Sequence, residues 1–150
     1  MKTVLLLLAS IGLLTNNIQA ASFEFETDDS GVTVKLNGEL FTRYVTDQAN
    51  KPYFYPIIGP TGAHMTRHYP MKDVEGERQD HPHHRGINFG HHKNNGYNTW
   101  LERKSLEKKI EGKPPEEAEK ILSVMGYTVH SGYKSLKVAS DHAVMGVTND

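Results

Sequence analysis

The sequence predicts a mainly β protein, an antiparallel β-sandwich with a short α-helical segment near the C-terminus. Two observations carry this. Apolar and polar residues alternate along three successive segments between Ser22 and Thr46, the period of a strand with one buried face. Those segments are joined by tight-turn sequences, while helical spacing of apolar residues begins only after Trp100.

The chain of 150 residues opens with Met1-Lys2, the apolar run Val4 to Leu14 and a polar stretch ending on Ala20. This is the anatomy of a secretory signal peptide, assigned to residues 1–20. Eleven apolar residues fall short of the roughly 20 that a membrane span needs. The expected location is therefore secreted or periplasmic, with no stable membrane insertion after cleavage. The formal net charge of -1 argues against a nucleic-acid partner, which calls for a basic field. With no cysteine in the chain, neither disulfides nor thiolate metal ligands are available.

In "SFEFET", Phe23 and Phe25 share one face. "DDSG" is a turn, and "VTVKL" places Val32, Val34 and Leu36 together. Asn37-Gly38 is a strong hairpin signal, because a type I′ turn needs positive φ at both positions. "ELFTRYVT" continues as a third strand with Phe41 and Tyr44 on opposite faces. From Asp47 the alternation stops: Pro52, Pro56, Pro60 and Pro70, with Gly59 and Gly62, forbid a regular central strand and force a long shaped excursion. Its aromatics (Tyr53, Phe54, Tyr55, Tyr69) suggest that it packs down on the sheet. "GINFGHH" resumes alternation, with Ile87, Phe89 and His91 on one face. "LERKSLEKKIEGK" is dominated by charge, with Leu106 and Ile110 one turn apart. Pro115 and Glu116-Glu117 suit a helix start, Ala118, Ile121, Leu122 and Met125 form a stripe, and Gly126 is a stop. The last 24 residues hold short β-like pieces with no evident partner, and His130 and His142 are taken as surface residues.

Five of the nine histidines lie between His81 and His92, close to Glu77, Asp80 and Arg85. If the segment is extended, His81 and His83 point the same way, and His91 could join them around a divalent transition metal. Pro82 stiffens the loop and biases Asp80-His81 toward an extended shape. The metal-free alternative is a polar pocket for a small-molecule or carbohydrate ligand. There His83 or His84 is the acid or base, Glu77 or Asp80 the partner carboxylate, and Arg85, Asn88 and Trp100 bind substrate. A third alternative is that the histidines only cap turns.

The run from Lys51 to Trp100, "KPYFYPIIGPTGAHMTRHYP" followed by "GERQDHPHHRGINFGHHKNNGYNTW", resembles the PmoA-like, or "methane oxygenase PmoA", family of secreted bacterial proteins. The resemblance implies a secreted β-sandwich, often from polysaccharide-degrading bacteria, and by name an oxygenase. Glu77, Asp80, His81, His83, His84 and Arg85 match its motif, with His91 and Trp100 following. It covers residues 21–100 as a partial domain. The family continues in further strands, whereas here residues 101–150 read as a divergent helical or irregular tail. The sandwich is therefore expected to be incomplete, and the chain a fragment or a non-catalytic sugar-binding remnant.

Overall fold

The computed structural model describes residues 21–139 and 142–150; the leader expected over residues 1–20 lies outside them. Five strands, β1 (Phe23–Asp28), β2 (Gly31–Leu36), β3 (Glu39–Val45), β4 (Tyr53–Ile57) and β5 (Ile87–Asn88), form one antiparallel sheet in that order. Two helices, α1 (Arg103–Ile110) and α2 (Pro115–Leu122), pack together. Strands β6 (His130–Val138) and β7 (Ala143–Asn149) make a second antiparallel pair.

The β2–β3 hairpin turns at Asn37 and Gly38 with φ of 54° and 81°, the backbone that the Asn-Gly pair predicts. Phe25 pairs with Val34 and Thr27 with Val32, so Phe23 and Phe25 share the inner face with Val32 and Val34. The expected separation of Phe41 from Tyr44 is corrected. Val34 pairs with Thr42 but Lys35 pairs with Leu40, leaving Phe41 as the extra residue of a β-bulge. A bulge shifts the phase of the pleat, and Phe41 packs with Tyr44 against the core.

That core is Val32, Val34 and Tyr44, flanked by Phe54 of β4 and by Met145 and Val147 of β7. The β6–β7 pair thus lies against the inner face of the larger sheet. The Tyr44 hydroxyl donates to Asn149 Oδ1 at 3.1 Å and lies 3.5 Å from His130 Nδ1. His130 is therefore half-buried between the layers rather than a surface residue. The tail thought to lack a strand partner supplies both strands of this second layer.

The expectation that the prolines forbid a central strand is corrected by β4, which pairs with β3 and β5 and holds Pro56 where the register with β3 shifts, a bulge being a place where a strand tolerates proline. The outer face of β4 is covered differently. Alternation sends Tyr53 and Tyr55 opposite to Phe54, into the excursion and α1. Tyr69, from the excursion, is buried with the Arg67 guanidinium 5.4 Å and the Lys104 ammonium 4.8 Å from its ring centre. The Lys104 contact fastens the excursion to α1. On α2 the expected stripe of Ala118, Ile121 and Leu122, with Met125 beyond, is the half-buried side. Among the described residues, no helix is long and apolar enough to cross a membrane.

Candidate functional site

The histidine segment is a tight turn, not an extended strand. The His84 N–H donates to the His81 carbonyl at 2.9 Å, enclosing Pro82 and His83. His81 has φ of 47°, a left-handed conformation unusual before proline and costly for a non-glycine residue. The turn gathers three imidazoles. The His81 and His84 rings stack at 5.1 Å, and His83 meets them edge-on at 5.8 Å and 4.5 Å. Trp100 completes the group, its ring centre 5.8 Å from His83 and 5.6 Å from His84.

The chain leaves the turn through Gly86, whose φ is 47° and where a Cβ would lie 1.9 Å from the Phe54 carbonyl oxygen. Only glycine permits that approach, and it sets β5 beside β4. The strand expected along "GINFGHH" is then just Ile87–Asn88, with Phe89 and His91 exposed. His91 Nδ1 accepts the Lys93 N–H at 3.2 Å, and its backbone bonds to Thr99. The trio His81, His83 and His91 is accordingly not assembled as a ligand set. The extended geometry assumed for it gives way to a turn. Among the described residues no three His, Asp or Glu side chains group as a metal centre.

The two carboxylates singled out in the sequence are engaged in shaping the loop. Glu77 accepts the backbone N–H groups of His68, at 2.7 Å and 3.0 Å, and Tyr69, at 2.9 Å. Its pKa is lowered: partial desolvation pushes it up, but those N–H bonds outweigh this. Asp80 takes a hydrogen bond from Arg67 at 3.1 Å and lies 3.3 Å from His81 Nδ1. Arg67, chiefly, and then His81 hold its pKa low against some desolvation.

His83 is half-buried, with Nδ1 3.0 Å from the Ser105 hydroxyl of α1. Burial, then the neighbouring His84, Lys51 and His81, lowers its pKa to about 4. His84 is exposed and its pKa is also lowered, by partial desolvation and then by His81 and Arg67. At neutral pH both are neutral imidazoles that can donate at one nitrogen and accept at the other.

Arg85 turns away from the histidines. Its Nε donates to both oxygens of Glu102 at 3.0 Å and 2.9 Å, and its guanidinium lies 5.5 Å from the Tyr53 ring centre. The same carboxylate accepts from Lys51 Nζ at 3.1 Å, and the Lys51 side chain is 0% exposed. Lys51 also reaches the Trp100 carbonyl at 3.1 Å and Asn50 Oδ1 at 3.3 Å. Glu102 doubles as the N-cap of α1 in a capping box with Ser105. Asn88 donates to the Arg85 carbonyl at 3.2 Å, and its Oδ1 is buried without a protein partner. Sequence reasoning missed Lys51, Glu102 and Ser105, because nothing local marks them.

The molecule is thus a mainly β protein whose two antiparallel sheets carry an imidazole–tryptophan cluster at one flank. It belongs to a family of unknown function, DUF6807, whose model matches residues 31–150. No significant match was found among curated proteins or solved structures.

Proposed function

We propose that this chain is a secreted, PmoA-like protein that holds a small carbohydrate-like ligand against Trp100 and the His81–His84 turn. The observation that carries the reading is Trp100, a residue 39% exposed whose ring is flanked by two neutral imidazoles. An exposed indole offers a flat apolar face to the C–H side of a sugar ring, while neighbouring polar groups meet its hydroxyls. His84 is exposed beside Trp100, where it can exchange a proton with a bound hydroxyl. His83, fixed by Ser105, orients the pair, and Asp80 steadies the turn through His81. In this reading Arg85 and Glu77 shape the site rather than touch the sugar.

Trp100 is the only tryptophan, so its fluorescence reports on the site directly. Titration of the mature chain with neutral mono- and oligosaccharides is expected to give a saturable change with at least one of them. Trp100→Ala should weaken binding, followed by calorimetry, by roughly tenfold, the value of a lost aromatic contact near 1.4 kcal/mol. Silence across the series, or undiminished binding by folded Trp100→Ala, removes this reading.

A further inference from the structure

Behind the histidine turn, on the other side of Glu102, lies a separate cavity of about 310 Å³, lined among others by Gln48, Asn50, Arg85, Glu102, Arg103 and Lys104. Neither the Trp100 side chain nor any of the clustered histidines lines it. Its charge balance is unusual. Glu102 is one carboxylate shared by two cations, Lys51 and Arg85, all three being largely withdrawn from water. Removing charges from water is costly unless each is compensated, and one carboxylate does not fully compensate two cations: burial, first, lowers the Lys51 pKa in spite of Glu102. Within the lining itself, which does not include Lys51, cations outnumber carboxylates. Arg103 and Lys104 border the cavity, and Glu107 is the only further carboxylate in its lining.

The geometry of Arg85 points the same way. Both of its bonds to Glu102 come from Nε, so the terminal NH2 groups of the fork are not used by that carboxylate, and the Tyr53 hydroxyl engages the guanidinium only in part. A guanidinium presents donors in a rigid plane matched to a carboxylate or phosphate. Asn50 contributes no opposing charge. Its amide nitrogen is held by the Leu101 and Gly126 carbonyls at 2.8 Å and 2.7 Å, which makes that wall rigid. The volume lies at the lower end of small-ligand sites, enough for one small molecule.

We propose that this cavity is a second binding site, for a small oxyanion that Arg85 grips through its terminal NH2 groups beside Arg103, with Lys104 adding positive charge from the rim. It stands independently of sugar binding at Trp100. The two free sources of such a group, a carboxylate and an inorganic phosphate, share the chemistry and differ in the number of oxygens presented.

Calorimetric titration of the mature chain with sodium acetate and with sodium phosphate, at constant ionic strength in chloride, tests this. Saturable one-site binding of at least one anion is expected, with a Tm that rises with its concentration. Binding of acetate alone, or of phosphate alone, assigns the source. The double change Arg103→Gln with Lys104→Gln should weaken binding roughly three- to tenfold, as expected for partly exposed charges. Arg85→Lys, which keeps the charge but loses the planar fork, should weaken it at least as much. Lys108→Gln, on the same helix but outside the cavity lining, should bind as the parent does. The proposal is overturned if neither anion binds saturably above chloride. It is equally overturned if folded Arg103→Gln/Lys104→Gln binds like the parent, or if Lys108→Gln weakens binding as much as the double change.

Discussion

The two faces of β4 are held by different physics. Phe54 looks inward, its ring centre 5.0 Å from that of Tyr44, into a core of Val32 and Val34 closed by Met145 and Val147. Tyr53, one residue earlier, looks outward onto Arg85, Glu102 and the buried Lys51. Apolar contact is non-directional and yields in proportion to the area lost. A shared carboxylate does not yield in proportion, since its removal strands every partner at once. The outer face is therefore the brittle one, and the candidate site stands on it.

The largest expected effect tests that brittleness. Glu102→Gln preserves shape but leaves Lys51 and Arg85 without their counter-charge, and should cost about 3–5 kcal/mol in denaturant unfolding. Adding Lys51→Met to that variant should recover part of the loss, because one stranded cation is then gone. If the two changes were simply additive, the network would hold no more than ordinary contacts do. On the inner face, Val32→Ala removes a side chain that is 0% exposed. It should cost about 2 kcal/mol, from the lost methyl groups plus a small cavity. A larger loss at Val32 than at Glu102 would reverse the comparison.

The same contrast explains what was legible in the sequence. The inner face announces itself locally: alternating Phe23, Phe25, Val32 and Val34, with Asn37-Gly38 between strands, specify register within a few residues. The α2 stripe is equally local. Phe41 was misplaced because one bulged residue inverts a period-2 pattern without altering composition. The β-like pieces of the last 24 residues carry no local sign of a partner, because the apolar side of β6 and β7 is completed by residues such as Phe25 and Tyr44, far away in the chain. The Lys51–Glu102 bond spans 51 residues, and no spacing rule reaches that far. Histidine density located the candidate site, but not its geometry. The strained φ of His81 turned an assumed strand into a turn and reassigned each imidazole.

The smallest effect lies where the two kinds of packing meet, at His83, half-buried and tied to α1. Its folded pKa, about 4, is below the roughly 6.5 of an unfolded histidine. Between those values the unfolded chain binds the proton that the folded chain refuses, so stability rises with pH across that interval. Acidification from pH 7 should thus cost nothing until about 6.5 and then erode stability down to about 4. After discounting for the partial exposure of the ring, the loss is on the order of 1 kcal/mol. Glu77 and Asp80, whose pKa values are lowered, add their losses only as pH falls past the ordinary carboxylate range, which separates the two contributions. His83→Gln can still hydrogen-bond near Ser105 but cannot titrate, so its Tm should be flatter than the parent's between pH 6.5 and 4.5. Below that range the two curves should run parallel. An unchanged slope would assign the acid sensitivity of that interval to another group of the cluster, His84 first, whose pKa is lowered as well.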